Sequence, residues 1–483
     1  MKRFFLIFAA FVCAMNLRAT DVGVPAESED VMLQCFYWDS YRSTGKYGCT
    51  TWQELTKDSA AITANFDLVW FPPSGWAGDG TSGGVGYYHR QVSQQNSSWG
   101  YRIDLYRFMQ ALHRGNTKCI ADIVINHRNN KSNWCDFFED NFVYSNGTSG
   151  GKFQFTSAHI CSGDECFSDS KSTCYQSSTH GAADTGTNDA GCRDLDHSNE
   201  YVRNWAKAYV NWMLGEIGYD GFRYDMTLGY SGAYLSEYNE ASNPYISVSE
   251  YWESIDKQVS HLQAAKYNTM IFDFPLKYVM NTAFKQGTYG QLKNPSNSLR
   301  GKGYKKYSVT FIDNHDTFER SDNQSGEFIK YNADLNTADV KNKILQANAY
   351  ILMMPGIPCV FWPHWRKYSS EISQMIGIRK LAGIHSESEV SNEQGGTYAY
   401  SAEIQGHYRK VYLRLGKNRD KTQPANTYKA MDGEDYTIFV EVGSGIDEVT
   451  FGRGKGTKIV RNGQLYIRHG DKMYDMMGRL VEE

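Results

Sequence analysis

The 483-residue sequence predicts an α/β chain built on a (β/α)8 barrel, with an inserted loop-rich subdomain after strand three and an antiparallel β-domain near the C-terminus. Three observations lead there. Eight short apolar runs alternate with helical patterns over about 350 residues, as parallel strands with crossover helices require. That beat breaks for about 70 residues between Asn126 and Asp196, a stretch rich in Gly, Ser, Asn and Asp. It breaks again after Ser386, where short runs of alternating hydrophobicity take over.

At the N-terminus, Lys2 and Arg3 precede an apolar run over 4–15, and Leu17-Arg18-Ala19 offers a small residue for cleavage. This pattern predicts a secretory signal over 1–19 and an exported chain, whether secreted, periplasmic or held at the cell surface. Bulky Phe11 and Val12 before Cys13 argue against a lipid anchor, and no apolar stretch reaches the roughly 20 residues of a membrane span.

Strands are expected over 31–38, 68–72, 119–125, 221–225, 245–252, 269–274, 307–313 and 358–362, with the clearest helices over 52–65, 103–113, 201–217 and 340–352. The barrel then takes 20–127 and 197–386, the subdomain 128–196 and the β-domain 387–442; a tail over 443–483 continues in the same alternating style. Within the subdomain, Cys161, Cys166, Cys174 and Cys192 share one polar stretch. In an exported chain that clustering reads as disulfides tying loops together, since no C-x-x-C pair marks a zinc site. Cys119 and Cys359 sit in apolar runs, as small buried hydrophobes do.

Composition narrows the partners. Acidic residues outnumber basic ones by 54 to 50, so the broad basic footprint of a nucleic-acid binder is missing. The 34 Tyr, 24 Phe and 11 Trp make up 14% of the chain, and flat rings with a polar edge suit cores, interfaces and sugar platforms alike.

Reacting groups in such a barrel lie where strands end, so carboxylates at strand C-termini are the residues to weigh. Asp225 ends Gly221-Phe-Arg-Tyr-Asp225, Glu250 ends Ser247-Val-Ser-Glu250, and Asp316 follows Phe311-Ile-Asp-Asn-His315. Singly, each reads equally well as a salt-bridged rim residue. Their neighbours change the weighing. Arg223 shares a strand face with Asp225, where its charge would keep that carboxylate ionised, as a nucleophile needs. His127 and His315 end two Asn-His pairs, placed to donate hydrogen bonds to a neutral polyol. Carboxylates whose proton affinities are pulled apart carry out glycoside hydrolysis. Rival chemistries lack their parts: there is no H-E-x-x-H and no phosphate loop, and Gly229-Tyr-Ser231-Gly-Ala lacks the second glycine of a serine-hydrolase elbow.

Through Asp122-Ile-Val-Ile-Asn-His127 and the three segments just quoted, in that order, the chain resembles the α-amylase family of retaining glycoside hydrolases. Glu216-Ile-Gly-Tyr-Asp-Gly221, Glu250-Tyr-Trp252, Pro355-Gly-Ile-Pro-Cys359 and Gly383-Ile-His385 bring it closest to the plant type, over about residues 31–440. The resemblance implies Asp225 as nucleophile, Glu250 as general acid/base and Asp316 as transition-state stabiliser. It implies that Arg223, His127 and His315 hold the cleaved sugar above a stacking Tyr87; Trp252, Trp38 and Tyr88 are weaker subsite candidates.

For a cofactor it implies Ca2+, held by Asn126, Asp194 and the Gly229 carbonyl, with Asp164, Asp184 and Asp189 loosely similar to additional sites. The implied partner is an α-glucan, and a monomer is expected. Leu228 stands where many members carry a lysine that touches the leaving sugar. The implied activity is endo-hydrolysis of α-1,4-glucosidic bonds; a related transglycosidase or debranching enzyme and a catalytically silent glycan binder are the alternatives.

Overall fold

The computed structural model describes residues 22–78, 84–188, 191–318, 337–443, 448–451, 454–461, 464–469, 472–475 and 480–481. The expected signal over 1–19 and Asp189 lie outside them. Eight parallel strands close a barrel in chain order: β1 Met32–Gln34, β2 Leu68–Trp70, β3 Lys118–Ile123, β4 Gly221–Tyr224, β5 Ser247–Ser249, β6 Met270–Phe272, β7 Ser308–Phe311 and β8 Ile357–Phe361. Every strand residue except Lys118 is buried. Strands covered on both faces must be apolar almost throughout, which is why they stand out in the sequence as runs rather than alternations. The paired segments are shorter than the runs, because the last residues of each run leave the wall and turn into the mouth.

Around the barrel lie α1 Trp52–Asn65, α2 Arg102–Arg114, α3 Glu200–Trp212, α4 Gly232–Ser242, α5 Ile255–Ala264, α6 Phe274–Gln286, α7 Ala338–Met353, α8 Trp362–Lys367 and α9 Ser369–Ala382. Local chemistry sets several ends. Asp273 caps α6 by accepting from Leu276 N–H, with Pro275 in the first turn. The helix expected over 201–217 is α-helical only to Trp212; Met213–Ile217 widens into a π turn, and Gly218 leaves it at φ 95°. None of the described helices is long and apolar enough to cross a membrane.

Between β3 and α3 run two small antiparallel ribbons, His127–Arg128 with Arg193–Asp194 and Asp140–Val143 with Ser149–Phe153. Buried Arg128 ties them down: it pairs with Asp140 and donates to the carbonyls of Arg90 and Phe138. The cysteines correct the sequence reading. A single disulfide forms among the described residues, and it joins Cys174 to Cys135, outside the expected cluster; Cys161, Cys166 and Cys192 stay unbridged. Cys119 and Cys359 are buried in barrel strands, as expected.

C-terminal to α9, five antiparallel strands form a sheet whose inward residues, including Ile404, Leu413 and Ile438, are fully buried. The sheet hangs on the end of α9: His407 N–H donates to Gly383 O, and Tyr408 and Arg409 N–H both donate to Ala382 O. The described parts of the tail form a second five-stranded antiparallel sheet.

Candidate active site

Barrel register delivers the first contact. Asp122 on β3 lies level with Arg223 on β4, and both are fully buried. Arg223 Nη1 donates to Asp122 Oδ1 and to Asp225 Oδ1, each at 2.8 Å, while Nη2 lies 2.7 Å from Glu250 Oε1. One guanidinium therefore gathers three carboxylates from the ends of β3, β4 and β5. Asp122 Oδ2 accepts from Trp70 Nε1 and Tyr87 OH, at 3.0 and 2.9 Å. Glu250 Oε2 accepts from the backbone N–H of Met226 at 3.0 Å, and Met226 is left-handed at φ 44°. A side chain held there is strained, the cost of aiming that N–H at Glu250. Asp225 and Glu250 thus sit on the two ends of one guanidinium, near enough for the charge of Asp225 to act on Glu250.

Arg223 does not leave Asp225 simply ionised, as the sequence suggested. Its single charge is spread over three buried acids, so burial dominates. Burial pushes Asp225 up to about 7 against the pull of Arg223, with Asp122 and Asp316 adding to the rise. Glu250 also rises to about 7, from burial first and the adjacent Asp225 after it, again opposed by Arg223. Asp122 reaches about 6 from burial. Two acids in mutual contact titrate as a pair, so near neutrality they share a proton: one is charged while the other can donate.

Beside this cluster opens a cavity of about 410 Å³, lined by Asp225, Glu250, Asp316, His127, Tyr87 and Trp252 among others. One wall is aromatic. Trp38 and Tyr87 both lie parallel to the His315 ring, at 6.0 and 5.2 Å between centroids. His315 Nδ1 faces the Gln34 amide nitrogen at 3.0 Å and so accepts, which puts its proton on Nε2, 3.0 Å from Asp316 Oδ2. His127 lines the cavity, but its Nε2 is 3.0 Å from Tyr87 O, so in this form it braces the stacking tyrosine. Trp252 packs on Phe274 at 4.5 Å and donates from Nε1 to Tyr278 OH. Tyr88 is exposed at the rim.

Asn126, Asp194 and Gly229 converge nearby. Asn126 Nδ2 donates to Asp194 Oδ1, and a Cβ on Gly229 would stand 1.8 Å from Asn126 Oδ1, so only glycine fits that approach. Among the described residues Asp184 Oδ2 is buried without a hydrogen-bond partner, and Gly186, whose N–H caps Asp184 Oδ1, packs on the Gly229 backbone. Burial raises the Cys161 thiol first, and Asp184, Asp194, Asp196 and Asp164 all lie close enough to add to the rise. Asp164 is taken up by Arg193 and by the N–H groups of Cys166 and Asp194. That leaves hard oxygen donors and surplus negative charge around Asn126, a donor set that fits Ca2+.

The structure thus gathers Asp225, Glu250, Asp316, Arg223, His127, His315, Tyr87 and Trp252 around one cavity mouth, and Asn126, Asp194 and Gly229 in a second cluster. Sequence reasoning missed Asp122, Gln34 and the Met226 N–H. A charge inside the apolar run 119–125 was the available signal for Asp122; the other two depend on register and on a backbone angle.

A closed parallel barrel with a buried arginine, paired carboxylates and an aromatic wall at its mouth is a glycoside-hydrolase arrangement. The comparisons with known proteins carry it to a family. Alpha-amylase 3, chloroplastic, of Arabidopsis thaliana is 28% identical over 433 residues, 85% of this chain; the chain spans only 44% of that relative. Alpha-amylase type B isozyme of Hordeum vulgare is 30% identical over 139 residues, 28% of this chain and 80% of the relative. The crystal structure of an alpha-amylase from Geobacillus thermoleovorans complexed with acarbose superposes with a TM-score of 0.60 at 15% identity, covering 85% of this chain and 98% of that one. No protein-family model matches the chain. The chain belongs to the α-amylase family.

Proposed function

We propose that this protein is an endo-acting α-amylase that hydrolyses α-1,4-glucosidic bonds of starch, glycogen and maltooligosaccharides with retention of configuration. The observation that carries the mechanism is the shared guanidinium, with Asp225 2.8 Å from Arg223 Nη1 and Glu250 2.7 Å from Nη2. A retaining site keeps its carboxyls about 5–5.5 Å apart, whereas an inverting one opens them to about 6.5–9.5 Å to admit water. Carboxyls held by the two ends of one guanidinium leave no room for the wider, inverting spacing, which supports the first kind.

Glu250 in its protonated form donates to the glycosidic oxygen as Asp225 attacks the anomeric carbon; the C–O bond breaks and a glycosyl ester forms on Asp225. Glu250, now charged, takes a proton from water, which displaces Asp225. Asp316, beside protonated His315 Nε2, faces the positive charge that develops on the sugar ring, and Tyr87 with Trp38 and His315 offers it an apolar wall. Asn126, Asp194 and Gly229, with Asp184 beside them, would hold Ca2+, whose charge would lock the inserted segment to the turn that follows Asp225. The barrel over 20–127 and 197–386 is read as catalytic, 128–196 as the calcium-binding insert and 387–442 as an accessory β-domain, in an exported monomer.

The test is incubation of soluble starch and maltotetraose with the parent and with Glu250→Gln. The parent should release reducing ends and the variant almost none; equal release would reject the reading, and products longer than maltotetraose would move it to a transglycosidase.

A further inference from the structure

The sulfurs of Cys135, Cys166 and Cys174 all lie within 4.8 Å of one another, although 31 and 8 residues separate successive members. The absence of a C-x-x-C pair argued against zinc; the fold supplies the grouping that spacing did not. We propose that, when the Cys135–Cys174 disulfide is open, these three sulfurs form a thiolate site for a soft or borderline divalent cation, of which Zn2+ is the chemical type. The site is separate from the carboxylate cluster and from the oxygen donors around Asn126.

Three features support it. Zinc–sulfur bonds of about 2.3 Å at tetrahedral angles put ligand sulfurs ~3.8 Å apart, so the cluster needs only small side-chain shifts to close on a cation. Cys166 and Cys174 are buried and Cys135 is half-buried, which gives a dry site with one open side for entry. Three thiolates on a divalent cation leave one net negative charge, beside Arg193, which is itself paired with Asp164 and Glu165. The Arg193 guanidinium lies 4.5 Å over the ring of Trp134, next in chain to Cys135. The Ser172 hydroxyl lies 3.3 Å from Cys174 Sγ. Sulfur ligands select against Ca2+, and carboxylate and carbonyl oxygens select for it, so the two clusters sort their cations by chemistry.

Disulfide and metal are alternative states of the same sulfurs. A phosphine reductant supplies the two electrons: the S–S bond breaks, water provides two thiol protons, and its oxygen leaves on the phosphine oxide. The cation then displaces three thiol protons. An oxidising compartment holds the chain in the bridged state and a reducing one opens the site.

The test titrates phosphine-reduced full-length protein with Cd2+ and follows the ultraviolet sulfur-to-cadmium charge-transfer band. The band should saturate at one cation per chain, resist excess Ca2+, fall by about one third in Cys166→Ser and remain unchanged in Cys49→Ser. No band, or a full band in Cys166→Ser, overturns the proposal. If near-ultraviolet circular dichroism shows that reduction unfolds the chain, protein isolated from a reducing cytoplasm is assayed for zinc. About one zinc per chain upholds the site, and less than about a tenth overturns it.

Discussion

The carboxylate cluster at the barrel mouth and the oxygen-rich cluster of the insert lie close together along the chain, yet they are built in opposite ways. The mouth takes its residues from the ends of β3, β4 and β5, where ladder register fixes Asp122 against Arg223 and carries Asp225 and Glu250 just past the last paired residue. The insert holds Asn126, Asp184 and Asp194 on loops and two-residue ribbons, with Asp184 Oδ2 unpartnered among the described residues. A site on strands keeps its geometry without a ligand; a site on loops with surplus charge needs a cation to hold its shape. Perturbing the mouth should therefore change rate more than stability, and perturbing the insert should do the reverse.

The largest effect is expected at the mouth. Glu250→Gln cannot protonate the leaving oxygen, and Asp225→Asn cannot form the ester; each should lower kcat on maltooligosaccharides by at least about 10²–10⁴-fold. Melting temperatures should stay at or above the parent's. A large loss of stability in either would break the comparison.

Next comes calcium. Chelation, or Asp194→Ala in the presence of calcium, should lower the melting temperature, the stability lost reaching up to about 4 kcal/mol if free calcium stands 1,000-fold above its Kd. The residual kcat measured below the new melting point should change far less. Thermal unfolding with and without chelator reads this directly.

The raised carboxyls predict a pH dependence of stability. Asp225 and Glu250 both titrate near 7 when folded, well above the unfolded range of about 4. Between those values the folded chain binds more protons, so the stability these groups contribute is full below about pH 4 and is lost as pH rises through about 7. Glu250→Gln removes one of them and should be more stable than the parent at pH 8, by about 1–3 kcal/mol, with the gap closing near pH 4. Denaturant unfolding at both pH values checks the sign, and a gap that widens toward acid would contradict the account.

The smallest effect is expected at Tyr87→Phe. It keeps the ring of the aromatic wall but deletes the hydrogen bond to buried Asp122, at a cost of about 1 kcal/mol. kcat/KM on maltotetraose should fall about fivefold, well short of the loss at Glu250.

The same contrast explains what was legible in the sequence. Strands buried on both faces announce themselves as apolar runs, so the eight-strand barrel could be read along with Asp225, Glu250 and Asp316 at the run ends. The C-terminal sheet was readable from its two-residue alternation. Cross-strand relations were not: Asp122 draws on Arg223 through register, and Met226 reaches Glu250 only because its φ is positive. In the insert, turn geometry rather than periodicity decides which side chains meet. That is why the sequence left open which cysteine Cys174 meets, and the fold brings it to Cys135.

The most direct test of the central claim follows the anomeric configuration of fresh product by proton NMR during hydrolysis of maltotetraose. With Asp225 attacking and Glu250 returning water on the same face, the α-anomer should appear first and mutarotate later to the equilibrium mixture. Initial release of the β-anomer would mean a single displacement by water and would contradict the roles given to both carboxylates.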